Sequence, residues 1–145
     1  VSLESNKELV RRAYLVGMNN RDMSVIDEVF APDYVVHYPR VPPIRGLQDA
    51  KAALSAFLDA FPDIRFTIED QLAEGDKVTT RWLGRGTHSG EYRGFPQAAN
   101  PIPPTGRPVE FSATDIYLIR DGRIAEEWNT LDEILILHQI GALPK

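Results

Sequence analysis

Asp115, Glu127, Asn129 and Asp132 are the side chains of this sequence best suited to moving a proton. They lie in its last sixty residues, which run from Gly86-Thr87-His88-Ser89-Gly90 through Pro103-Pro104-Thr105-Gly106-Arg107 to Asp121-Gly122-Arg123 and Glu126-Glu127-Trp128-Asn129. The pattern reads as three long strands joined by tight turns, with a carboxylate-rich last strand and a short terminal helix. Such an arrangement gathers the four polar groups beside an aromatic-lined face. Asp115 alternates with Phe111, Ala113, Tyr117 and Ile119, so it shares a strand face with apolar residues. A carboxylate there is costly unless it is bonded or protonated. Burial would lift its pKa toward the range useful for acid/base work at neutral pH. The structural alternative is an ion pair with Arg81, Arg85 or Arg107. Phe111 and Tyr117 become candidate ligand contacts on the same face.

Asn129 carries a donor and an acceptor and can hold a carbonyl or a water; otherwise it closes the strand end with a hydrogen bond. Glu127 shares its parity and is a candidate substrate contact, although exposed or ion-paired glutamates are the norm and Glu126 reads the same way. Asp132 is the rival acid to Asp115, or else the N-cap of the terminal helix. Of the three histidines, His37 closes an apolar strand and is a candidate general base. His88 sits in a glycine-flanked turn and is either a ligand contact or a turn residue. His138 falls on the last helix. Their scatter lacks the spacing of a zinc site, and no phosphate loop or nucleotide fingerprint occurs. No metal and no cofactor are expected. Trp82 is a candidate pocket wall, since aromatic walls are usual around apolar ligands.

The elements that must position these groups change period midway. Residues 5–20 predict a helix capped by Ser5 or Asn6, with Glu8 completing a capping box. A short helix with Val25, Ile26, Val29 and Phe30 inward ends at Ala31-Pro32. Tyr34 to Tyr38 is a strand, Pro39 to Gly46 a loop, and 47–61 a third helix. Strands follow at Ile64 to Leu72, Lys77 to Gly90, Val109 to Arg120 and Arg123 to Thr130, the last two joined by an Asp121-Gly122 hairpin. A helix over Leu131 to Ile140 closes the chain. Helices first and antiparallel strands afterwards predict one α+β domain over 1–145, a curved, mostly antiparallel sheet wrapped around N-terminal helices.

At 145 residues the chain can bury a core without staples. It has no cysteine, which excludes disulfides, thiolate metal sites and a cysteine nucleophile. A net charge of −5 and the absence of a basic run argue against nucleic acid as a partner. No apolar stretch approaches the roughly 20 residues of a membrane span. No signal peptide is evident, so a cytoplasmic protein is expected.

Several segments, in this order and spacing, resemble the SnoaL-like polyketide cyclase family, of the ketosteroid-isomerase-like and nuclear-transport-factor-like α+β cone fold. They are Lys7-Glu8-Leu9-Val10-Arg11-Arg12, Ala31-Pro32-Asp33-Tyr34-Val35-Val36-His37, Ala60-Phe61-Pro62-Asp63, Glu74-Gly75-Asp76-Lys77-Val78, the two turn motifs above, Asp121-Gly122-Arg123-Ile124 and Gln139-Ile140-Gly141. The resemblance covers nearly the whole chain. It implies a cone-shaped fold, a homodimer or higher homo-oligomer, and cofactor-independent chemistry on a small hydrophobic carbonyl or polyketide-like substrate. Relatives close rings by aldol reaction, and some are hydroxylases or isomerases. It also implies that the Tyr14 hydroxyl reaches the cup. The family's catalytic aspartate falls at Asn129, and the histidine of its preceding strand at Asp115. An amide cannot exchange a proton at neutral pH, so the acid/base role passes to Asp115 or Asp132, or the chemistry differs. A further departure is the insertion Gln97 to Ile102. Two other readings share the fold: a non-catalytic binder of small hydrophobic ligands, and an interaction module using the open sheet.

Overall fold

The computed structural model describes residues 2–39, 41–94 and 100–143. Its first helix, α1, runs Leu3–Arg12 and continues as a π-helical stretch, Ala13–Met18. The helix starts earlier than expected. Ser2 is the cap, and Ser2 and Ser5 exchange backbone-to-hydroxyl hydrogen bonds of 3.0 Å in a capping box. Glu8 instead pairs with Arg11 at 2.7 Å. The wide turn is visible in the Asn19 N–H donating to the Tyr14 carbonyl at 3.0 Å. Such bulges recur at functional sites because they re-aim a side chain; here the segment carries Tyr14 and Met18 to a cavity wall.

Asp22 caps α2 (Met23–Val29) by accepting from the Ser24 N–H at 3.1 Å. Strand β1 (Phe30–His37) begins directly after it, so Ala31-Pro32 lies inside the strand rather than ending the helix. The proline is tolerated because pairing with the neighbouring strand shifts register between Phe30 and Val35, and strand prolines are confined to edges and bulges. A two-residue strand, β2 (Ile44–Arg45), interrupts the expected loop. Then come α3 (Leu47–Ala60), β3 (Arg65–Glu74), β4 (Lys77–Thr87), β5 (Pro108–Arg120), β6 (Arg123–Trp128) and α4 (Glu133–Gln139).

The six strands form one open sheet in the order β2-β1-β6-β5-β4-β3. All neighbours are antiparallel except β1 and β6, which pair in parallel with Val36 opposite Glu127. This is the α+β cone expected from the sequence, with the sheet left unclosed. Strand β5 explains the layering: Val109, Phe111, Ala113, Asp115, Tyr117 and Ile119 are buried, and the residues between them are not. The buried face packs against Val10, Tyr14, Ile26, Phe57 and Leu58 of the helices in one core. The β5–β6 hairpin turns on Asp121 and Gly122, both at positive φ (54° and 74°), as a type I′ turn demands.

The two turn motifs clasp each other. The His88 N–H donates to the Arg107 carbonyl at 2.9 Å and the Gly106 N–H to the His88 carbonyl at 2.8 Å. Thr87 donates through its N–H and hydroxyl to the Asp63 carboxylate at 2.7 and 2.8 Å. Gly90 lies so close to the end of α3 that a Cβ there would stand 1.9 Å from the Asp59 carbonyl oxygen. Of the Gln97 to Ile102 insertion, 97–99 lie outside the described residues; beyond them Ile102 and Tyr92 exchange backbone hydrogen bonds of 2.8 and 2.9 Å. Among the described residues no helix is long and apolar enough to cross a membrane.

Candidate active site

A cavity of about 90 Å³ opens between the helices and the buried face of the sheet. Tyr14, Tyr34, Tyr38, Lys51, Trp82, Glu127 and Asn129 are its polar lining residues. Behind them, wholly buried, is Asp115. Strand pairing brings these groups together: Tyr117 of β5 is opposite Glu127 of β6, and Thr80 of β4 is opposite Asp115. After Trp128 the chain continues beside β5, where the Thr130 hydroxyl donates to the Thr114 carbonyl at 2.8 Å and accepts from the Thr114 N–H at 3.1 Å.

Asp115 is surrounded by donors. Its Oδ2 accepts from Trp82 Nε1 at 3.0 Å, Asn129 Nδ2 at 3.1 Å, Tyr14 at 3.3 Å and Tyr117 at 3.4 Å, and its Oδ1 accepts from the Thr130 N–H at 3.0 Å. The Tyr14 and Tyr117 hydroxyls also bond to each other, so one of the two donates to the carboxylate and the other to its neighbour's oxygen. Glu127 is 6% exposed and has fewer partners: Tyr34 donates to Oε1 at 2.5 Å and Asn129 Nδ2 to Oε2 at 3.1 Å. Burial raises the pKa of both carboxyls. Glu127 is pushed well above the ordinary range, by burial first and by the charge of Asp115 second. Two adjacent carboxyls in a low-dielectric site cannot both ionise cheaply, so the pair titrates as a unit. The donor count decides where the negative charge rests: Asp115 holds it, and Glu127 keeps the proton. Tyr14, Tyr34 and Tyr117 are raised well above 10 by burial and then by the carboxylates, so they stay protonated and serve as donors.

The structure thus unites Asp115, Glu127, Asn129, Tyr14, Trp82 and Tyr117, and of these Tyr14, Trp82, Glu127 and Asn129 face the cavity. Asp115 forms none of the arginine pairs considered above, and Arg85 is paired with Glu110 at 3.0 Å. The expectation that Glu127 is solvated is corrected by its burial. Asp132 stands outside the cluster. It is exposed and caps α4, accepting from the Leu135 N–H at 3.0 Å. Asp132→Ala should therefore lose about 1 kcal/mol of stability, a usual value for a lost N-cap, with turnover unchanged; a thermal melt and an activity assay check both.

His37 has the wrong parity. Tyr34, Val36 and Tyr38 line the cavity, whereas His37 stacks on Trp128 (centroids 5.5 Å apart) and its Nε2 lies 2.6 Å from Glu126 Oε2. His88 lies in the turn clasp, its Nδ1 2.9 Å from Thr105 Oγ1, between the rings of Phe61 and Tyr92. Phe111 packs edge-on against Trp82, behind the cavity wall. Sequence reasoning missed Tyr34 and Tyr38; the alternation of Tyr34, Val36 and Tyr38 was the available signal. Among the described residues no group of three or more His, Asp or Glu is arranged to hold a metal ion.

A profile of the SnoaL-like polyketide cyclase family matches residues 8–140. Similar solved structures include IdmH from Streptomyces antibioticus, described as a candidate polyketide cyclase, at 33% identity over 94% of this chain and 98% of that one, with a TM-score of 0.77. TsrD from Streptomyces laurentii is 29% identical over 99% of both chains, with a TM-score of 0.82. AclR from Streptomyces galilaeus, described as a candidate hydroxylase, is 26% identical over 99% of this chain and 85% of that one, with a TM-score of 0.83. No curated protein sequence matches the chain. The profile spans all but the ends of the chain and the fold agrees with it: the chain belongs to the SnoaL-like polyketide cyclase family.

Proposed function

We propose that the protein is an acid/base enzyme of the cyclase or isomerase type, acting without a cofactor on a hydrophobic carbonyl compound. The observation that carries this reading is the buried Asp115–Glu127 pair, one member of which faces the cavity. The pair holds one proton between its members. Glu127 can give that proton to a carbonyl oxygen and, as the carboxylate, take one from the adjacent carbon, which leaves an enol and returns the pair to its starting state. Pairs of titratable groups whose surroundings push their pKa values apart are the usual basis of such assignments.

Glu127 is the acid in this scheme. Asp115 carries the charge that keeps Glu127 protonated and is a positioning residue. The Tyr14 and Tyr34 hydroxyls line the same cavity and would steady the carbonyl oxygen while negative charge builds on it ahead of the proton from Glu127, generally the largest catalytic contribution. This assignment also accounts for asparagine at position 129. Its Nδ2 donates to both carboxyl groups, so it fixes their separation while Glu127 does the proton transfer.

The test is a thermal-shift screen of aromatic polyketide-like and steroid-like carbonyl compounds, with mass spectrometry on every hit. Stabilisation with a chemically altered ligand supports the enzyme. Stabilisation with every ligand recovered unchanged after long incubation would establish a binding protein instead.

A further inference from the structure

Tyr38 and Phe57 have two sides. They line the acid/base cavity, and they also line a second, larger one of about 550 Å³. Sites for drug-sized ligands run to about 300–1,000 Å³. The inner cavity, at about 90 Å³, is far below that range and the outer one within it. A molecule whose reacting carbonyl meets Glu127 must therefore keep most of its body elsewhere, and the outer cavity is the space on the other side of Tyr38 and Phe57. Burial raises the pKa of Tyr38, and its nearness to the carboxyl pair adds to the rise.

The wall chemistry narrows the occupant. Val41, Pro42, Pro43 and Ile44 form one side and Ala53 and Ala56 of α3 another. Arg45, Arg93 and Asp49 add charge to the wall. Arg93 is held by Glu91 at 2.6 Å, whereas Arg45 is exposed and has no ion pair among the described residues. We infer that the substrate is elongated: a small carbonyl head reaches the inner cavity past Tyr38 and Phe57, and a largely apolar body fills the outer chamber with a carboxylate end toward Arg45. This inference rests on the acid/base reading for the head and on the outer chamber for the body.

Two probes separate those components: cyclohexanone, and cyclohexanone bearing a long ω-carboxyalkyl chain, with its methyl ester as a control. Affinity is read by calorimetry and hydrogen exchange next to the carbonyl by mass spectrometry in D₂O. The acid-tailed ketone should bind more tightly than cyclohexanone, and Ala53→Trp, which fills the chamber, should cut that ratio about tenfold or more by displacing apolar contact. Arg45→Gln should erase the preference for the acid over its ester. Tail-dependent binding that Ala53→Trp reduces, without hydrogen exchange, keeps the chamber and sinks the acid/base reading. Exchange of both ketones at a ratio indifferent to a folded Ala53→Trp variant keeps the acid/base reading and overturns the chamber. Equal affinity for acid and ester overturns the anionic end, and no binding of either ketone overturns both readings.

Discussion

Glu127→Gln is expected to lower turnover by about 100-fold or more, the usual contribution of a positioned acid or base. The substitution is nearly isosteric, and the amide oxygen can still accept from Tyr34, whose hydroxyl lies 2.5 Å from Oε1. What disappears is the exchangeable proton at the cavity floor. The same variant should become more stable relative to the wild type as pH rises. Glu127 has a folded-state pKa well above its unfolded value, chiefly through burial. A group raised in this way contributes stability below its unfolded pKa of about 4.3, and that contribution is lost as pH climbs through the folded pKa. Glutamine has no such loss. Melting curves of the two proteins should therefore diverge from about pH 5 upward, the variant becoming the more stable by about 1 kcal/mol or more, roughly the worth of a tenfold change in proton affinity. Turnover close to wild type would remove Glu127 from the reaction; parallel pH profiles of stability would show that it is not buried with a raised pKa.

The fold was legible because its punctuation is local. Period-two alternation on β5, the Asp121-Gly122 turn and Pro62 after α3 each specify backbone geometry from a few neighbouring residues. The π-helical stretch at Ala13–Met18 was not legible, because helical spacing alone does not reveal one extra residue per turn. Nor was the entry of Pro32 into β1, which depends on a register shift against a strand from the far end of the chain.

The site divides along the same line. Asp115 could be found because it interrupts an apolar strand face, a local anomaly. Glu127 sits beside Glu126 in a run that looks solvated, and its burial depends on Tyr34, 93 residues away on a parallel neighbour. His37 failed for a related reason. A histidine attracts attention by chemistry, but a one-residue difference in parity puts it on the opposite face from Tyr34, Val36 and Tyr38. Asp132 belonged to the terminal helix because a residue just before a helix is drawn to the free N–H groups of its first turn. In each case the residue type suggested the chemistry, and long-range pairing decided which side chain could perform it.

Asp115→Asn should act differently from Glu127→Gln, and the difference tests the division of roles. Asp115 does not line the cavity, so its effect on chemistry must pass through Glu127. Removing its charge removes the like-charge repulsion that helps to keep Glu127 protonated. The pKa of Glu127 then falls, and activity that needs its proton is lost at lower pH. The alkaline limb of the pH–rate profile should move to lower pH, with turnover at neutral pH reduced. Stability should also drop. Trp82, Asn129, the Thr130 N–H and one hydroxyl of the Tyr14–Tyr117 pair donate to the carboxylate. An amide keeps one acceptor oxygen and turns an N–H₂ toward the remaining donors, which leaves buried groups unsatisfied at about 1–3 kcal/mol. A purely structural Asp115 would give the lower melting temperature with the pH–rate profile unmoved, and that outcome would end the proposal that its charge sets the proton on Glu127.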